Sequence, residues 1–192
     1  MRNFYYSFLF SSLTLAGCGE SLTPMEFTTY INNPEHGFVK KQTANNYSFE
    51  LQHLPADYIA LRYIFSGIET DFERIKEQSN STLNFKLTLC NLDSVLVDNK
   101  SAAYQARINF LINSFNHHCV LLTENKDSIY PVIHHYERNA NVKPCENVLF
   151  AFENRKDLNP DKLIIKAPLF AEKPLIFDIK KIKTLHVPKI QL

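Results

Sequence analysis

Leu83, Phe85, Leu87 and Leu89 alternate with Asn84, Lys86 and Thr88. A period of two with one apolar face defines a half-buried β-strand, because a helix would scatter those four groups around its circumference. The same alternation recurs in Tyr47, Phe49 and Leu51 against Ser48, Glu50 and Gln52, with residues 38–41 as a hairpin partner across a turn at Asn45 and Asn46. Further strands are expected at 148–152, 163–167 and 175–179, punctuated by Asn159, Pro160, Asp161, Lys173 and Pro174. Residues 120–122, a turn at Asn125 and Lys126, and residues 129–136 give another hairpin. In it Pro131 lacks a donor and marks an edge or a bulge.

Helical signals are fewer. Tyr104, Ile108, Leu111, Ile112 and Phe115 fall on one stripe of an amphipathic helix starting near Ser101. Residues 55–65 read two ways: Pro55, Ala56 and Asp57 look like a first helical turn, yet Ile59, Leu61, Tyr63 and Phe65 alternate like a strand. The helix is the preferred reading. Residues 71–78 are charged and expected to be exposed. Short strands without repeated strand–helix alternation predict an α+β, mainly β chain, an antiparallel sheet or β-sandwich with one packed amphipathic helix.

Composition excludes several functions. Lys and Arg number 21 against 20 Asp and Glu, a formal charge of +1 that supplies no basic surface for a phosphate backbone, so nucleic acid is not an expected partner. Only four glycines occur, at Gly17, Gly19, Gly37 and Gly67, too few and too scattered for a phosphate-cradling loop. No nucleotide cofactor is therefore expected.

The N-terminus carries an address. Arg2 precedes an apolar stretch, residues 4–13, interrupted only by Ser7, Ser11 and Ser12 and too short to span a bilayer permanently. Leu15, Ala16, Gly17 and Cys18 follow, and this run resembles the lipobox of bacterial lipoproteins. The resemblance implies a signal peptide at 1–17, cleavage before Cys18, and a diacylglycerol on its thiol, with acyl chains such as palmitate. Loss of Arg2 would then leave a chain of zero formal charge. Two or three acyl chains anchor a protein stably, at about 0.8 kcal/mol per buried CH₂. Residues 18–25 are expected to be a lipidated tether and 26–192 a single globular β-rich domain.

Tyr30, Ile31, Pro34, Glu35 and Gly37, then Tyr130, Pro131, His135, Tyr136, Glu137 and Arg138, and finally Ile182, Val187, Pro188 and Lys189 resemble a group of small Bacteroidota lipoproteins. That likeness implies an envelope address and transfers no catalytic residue. Gly19 stands where an Asp would favour inner-membrane retention, and Glu20 alone is shorter than the acidic run associated with surface display. The expected location is the outer membrane with the domain facing the periplasm, surface exposure being the alternative. Asp93-Ser94-Val95 and Asp127-Ser128-Ile129 resemble the three-residue O-glycosylation motif of that phylum, at Ser94 and Ser128; two polar turns explain them equally.

Beyond Cys18 there are three cysteines, Cys90, Cys119 and Cys145, which permit one disulfide in any of three pairings, or three buried thiols. None has CxxC spacing. Among the histidines, a hairpin register with Thr123 facing Ser128 would set His117 opposite His134, two candidate metal ligands lacking further partners. No catalytic motif is present: no GxSxG elbow, no HExxH helix, no recognisable carboxylate pair. The expected function is non-enzymatic, a binding or accessory module that docks another envelope protein along the polar edge near residues 131–138. The alternative is a ligand-binding or hydrolytic lipoprotein acting on glycans or peptides, with nine Tyr and no Trp as stacking platforms.

Replacing Cys18 with Ser is predicted to release the protein from membranes or to leave an uncleaved precursor. Metabolic acyl labelling checks this, and undiminished label on the variant would remove Cys18 as the lipid site.

Overall fold

The computed structural model of the chain describes residues 21–93, 101–137 and 145–192. Its first strand, β1 (Ser21–Leu22), pairs in parallel with residues 189–190 near the chain's end. Thr23 then caps α1 (Pro24–Asn32): the Glu26 N–H donates to the Thr23 hydroxyl and the Thr23 N–H donates to the Glu26 carboxylate at 2.9 Å, a reciprocal capping box with Pro24 at the first helical position. The stretch expected as a tether, 18–25, therefore belongs to the folded body from Ser21 onward. The cap and the β1 ladder hold it there.

β2 (Val39–Ala44) and β3 (Tyr47–Leu54) form the expected hairpin, with Asn45 in the left-handed region at φ 50°. Residues 55–65 resolve as α2 (Ala56–Phe65), which buries Tyr58, Ala60 and Leu61. The charged segment after it is also helical, α3 (Phe72–Ser79), because Phe72 and Ile75 bury on one side while the Asp71 carboxylate accepts the Arg74 N–H at 3.0 Å. A bond of 2.7 Å between Lys76 and Asp57 ties α3 to α2.

β4 (Thr82–Asn91) is the strand the alternation demanded, its odd positions from Leu83 to Leu89 buried. Ser101 caps α4 (Ala102–Asn113), accepting the Tyr104 N–H at 3.2 Å. The apolar stripe is rotated from its expected phase. Phe110 and Leu111 are buried and Ile112 is exposed, and a break at Ser114 delivers Phe115 into the core from a short separate helix, α5 (Phe115–His118). The remaining strands are β5 (Cys119–Thr123), β6 (Ser128–Ile129), β7 (Ile133–Glu137), β8 (Cys145–Glu153), β9 (Pro160–Ile165), β10 (Leu175–Asp178) and β11 (Lys189–Ile190).

Two antiparallel sheets result, of order β2-β3-β4-β8-β7 and β10-β9-β5-β6. Their inward faces share one core with α4 and α5: Phe49, Leu87, Val148 and Phe150 from the larger sheet meet Leu121, Leu163, Ile165 and Phe177 from the smaller. A second core lies on the other side of the larger sheet, where Phe27, Ile31, Leu61, Phe72 and Ile75 of α1, α2 and α3 pack with Phe38 and Leu54. The chain is α+β and mainly β, as expected, with five helices among the described residues where the sequence announced one clearly.

The expected 120–136 hairpin survives only in its first half. Leu121 pairs with Ile129 and Leu122 with Ser128, one residue away from the expected register, and the chain then leaves the sheet at Pro131. β7 joins the larger sheet instead, with His134 opposite Phe150. A proline has no N–H to continue the first ladder, and β8 offers the new strand a long free edge.

Cys90 and Cys145 stand opposite each other at the end of the β4–β8 ladder and are disulfide-bonded. Cys119 is fully buried in the core, and burial pushes its thiol well above the ordinary range. The crosslink closes a loop of sequence separation 55, so the chain-entropy relation predicts that Cys90→Ser/Cys145→Ser loses about 4 kcal/mol. Urea unfolding of the oxidised protein checks the figure; unchanged stability would contradict the crosslink.

Candidate functional site

The histidines expected as metal candidates lie apart in their roles. His117 is exposed on α5. His134 turns its ring onto Phe115, centroids 5.5 Å apart, and its Nε2 donates to the Leu111 carbonyl at 2.7 Å. Burial lowers its proton affinity, and its role is to fasten β7 to the end of α4. Register explains the separation: the pairing assumed for His117 and His134 needed β7 in the smaller sheet. Among the described residues no three His, Cys, Asp or Glu come together as metal ligands. Cys18 and Ser94 lie outside the described residues, and Ser128 is exposed at the start of β6.

An open concavity lies on the helix-covered face of the larger sheet. α2 crosses that face and ends where Ser66 and Gly67 donate to the Arg62 and Ile64 carbonyls, with Gly67 at φ 69°, a left-handed turn that suits glycine. The reversal leaves Phe65 and Ile68 projecting into solvent, 67% and 72% exposed, beside Tyr63. An ion pair between Glu69 and Arg74 and the Lys76–Asp57 bond brace the loop and α3 behind them. Between this helical wall and the β8–β7 edge runs an open cleft of about 780 Å³, floored by Leu149 and bordered by His135 and Glu137. A smaller hollow of about 320 Å³ shares Ile59, Tyr63, Ile68 and Asn84 with it and reaches Ile133. Ile133 is exposed on the far bank, 52%.

Several polar groups that line the cleft are engaged, and Lys86, which borders the lining without belonging to it, is the contrast. Arg62 bridges to Glu137 at 3.4 Å. The Ser66 hydroxyl donates to the Tyr63 carbonyl and the Thr28 hydroxyl to the Pro24 carbonyl, both at 2.9 Å, so these two hydroxyls are tied to backbone rather than to a base. Lys86 differs. It lies in the register row Gln52, Lys86, Leu149, His135, whose last two members line the cleft, and it makes neither hydrogen bond nor ion pair among the described residues. Half-burial, aided by the Arg62 charge, holds its ammonium below the usual lysine range, while Glu50 and Glu137 oppose that shift. Gln52, its neighbour, is buried and donates to Asn32 at 2.6 Å.

The sequence led to an expected docking edge near residues 131–138; the structure sets a cleft beside β7, and the helical wall across that cleft was not expected. The signal was present in the ambiguity at 55–65: a helix with apolar groups on more than one side has more than one surface to cover. In comparison with known proteins, no protein-family model, curated protein or solved structure matches the chain.

Behind the cleft, His53 lies beside Phe38 and Phe85, ring centroids 6.1 and 5.5 Å away, with Nδ1 donating to the Asn84 carbonyl at 3.0 Å. Burial lowers its pKa from 6.5 to about 4. The unfolded chain therefore binds a proton that the folded chain refuses across that interval. Its stabilising contribution is complete above pH 6.5 and is lost as pH falls toward about 4, by about 3 kcal/mol. Between pH 7 and 4 the unfolding free energy of the wild type, from urea titrations, should fall by that margin relative to His53→Phe; an unchanged difference would show His53 to be freely protonated in the fold.

Proposed function

We propose that the chain is a lipid-anchored, non-enzymatic envelope module that docks a partner protein over the cleft between α2 and β7. The observation that carries this is the set of exposed large apolar side chains, Tyr63, Phe65 and Ile68 on the open cleft and Ile133 on the hollow that adjoins it, beside an edge strand. Clustered exposed apolar groups of this kind mark interaction surfaces, and a strand edge adds backbone pairing capacity. Engagement of the Ser66 and Thr28 hydroxyls with backbone carbonyls favours binding over acyl-transfer chemistry.

The proposed anchor constrains the partner. Ser21, the first described residue, is three positions beyond Cys18, a reach of about 10 Å of extended chain. With lipid on Cys18 the body would ride close to the bilayer, and its partner would be a membrane protein or a membrane-proximal part of an assembly, on the periplasmic face of the outer membrane in our reading. The second reading, a ligand-binding lipoprotein for glycans or peptides, draws on the cleft's volume of about 780 Å³, which suits a small ligand.

Phe65→Asp/Ile68→Asp alters two exposed positions and should change stability by no more than about 0.5 kcal/mol at each. The double variant is predicted to lose the specific envelope partner recovered by crosslinking in intact cells. An unchanged crosslinking pattern would remove the cleft as the docking surface, and recovery of the monomer alone in the wild type would remove the docking function.

A further inference from the structure

Of the three cations on or beside the open part of the helix-covered sheet face, two are neutralised within the fold. Lys41 pairs with Glu50 at 3.0 Å and Arg62 with Glu137 at 3.4 Å. Lys86 is left over, at the centre of the sheet rather than at its margin. Among the described residues no carboxylate pairs with it directly: Gln52 on one side is committed to Asn32, Leu149 on the other is apolar, and Glu50 and Glu137 act on it only from the adjoining row. The adjoining row of Glu50, Thr88, Asn147 and Glu137 has its two acids in pairs with Lys41 and Arg62 and its two neutral members bonded to each other at 2.9 Å. The margin of the cleft therefore holds one half-buried positive charge in surplus, next to Leu149 and Asn84, which line the cleft together with Tyr58, Tyr63 and Phe65. A half-buried ammonium without a fixed counter-charge is poorly compensated, and an arriving carboxylate gains more there than at an exposed lysine.

We infer that the partner enters this cleft with a polypeptide segment that sets an Asp or Glu carboxylate against Lys86 at its margin and large apolar side chains against Phe65 and Ile68. This rests on the docking reading above and specifies what the partner must present. Charge complementarity selects the acid, and the exposed apolar side chains Phe65 and Ile68 on the same cleft select a polypeptide that carries apolar groups beside it. The proposed carboxylate makes a charge-assisted hydrogen bond to the Lys86 ammonium.

The test uses the full-length anchored chain in intact cells, with a photo-reactive benzoylphenylalanine in place of Ile68. Irradiation is expected to trap a protein whose crosslinked segment contains Asp or Glu beside apolar residues. Lys86→Gln should lower the yield by about tenfold, the loss of one charge-assisted hydrogen bond, and Lys86→Arg should preserve it. Lys86→Glu should abolish the crosslink, and reversing the partner's acid to Lys should restore it, which separates a lost contact from a damaged fold. A crosslink insensitive to Lys86→Gln, or a trapped segment without an acid, would overturn the inference and leave the docking reading standing. A trapped lipid or small molecule, or no adduct at all, would overturn both.

Discussion

A strand that is apolar on one face and mixed on the other forces the sheet it centres to be covered twice, and β4 imposes that condition here. Its odd positions, Leu83 to Leu89, sit in the core shared with the smaller sheet, α4 and α5. Its even positions face the helices that follow β1 and β3. Those helices are short: eight to ten residues make about 12–15 Å of helix, while a ten-residue strand extends about 33 Å. Helices of that length leave part of the face open. The row Glu50, Thr88, Asn147, Glu137 is polar because it borders water, and the cleft opens where covered and uncovered rows meet.

What the sequence made legible follows from how local each signal is. The β2–β3 hairpin, β4 and the Ser101 cap rest on neighbours within a few positions, and each is found where its pattern places it. α3 was hidden because only Phe72 and Ile75 of its eight residues are buried, too little to register as a stripe. β7 was assigned to the wrong neighbour because adjacency in sequence favoured β5, whereas the choice of β8 depends on strands brought together over long separations. The same dependence explains the cysteines. Cys90 and Cys145 become partners only through the β4–β8 register, and Cys119 is excluded from pairing by its place inside the core.

The candidate site was legible in half. The edge at Pro131 could be read because proline ends a ladder, but the helical wall facing it could not, since Phe65 and Ile68 were indistinguishable from core residues in a string of letters. Burial is a long-range property. Ile59, Leu61, Tyr63 and Phe65 look alike in sequence, yet only Leu61 is fully covered, because α2 has one sheet beneath it and nothing among the described residues above its final turn.

Lys86 joins these threads. A central strand of a covered sheet is a costly place for an ammonium, and a Leu or Met there would extend the apolar floor made by Leu149 without leaving a charge to solvate. The fold tolerates lysine only because the helix layer stops short of it, so the same shortfall that opens the cleft keeps the charge wet. Coverage and charge are then one design problem: lengthening α2 to seal the apolar rim would strand the ammonium, and leaving the ammonium hydrated keeps Phe65 and Ile68 exposed. A partner that brings both a carboxylate and apolar bulk resolves both conflicts together, whereas a purely apolar or purely acidic one resolves a single conflict and aggravates the other.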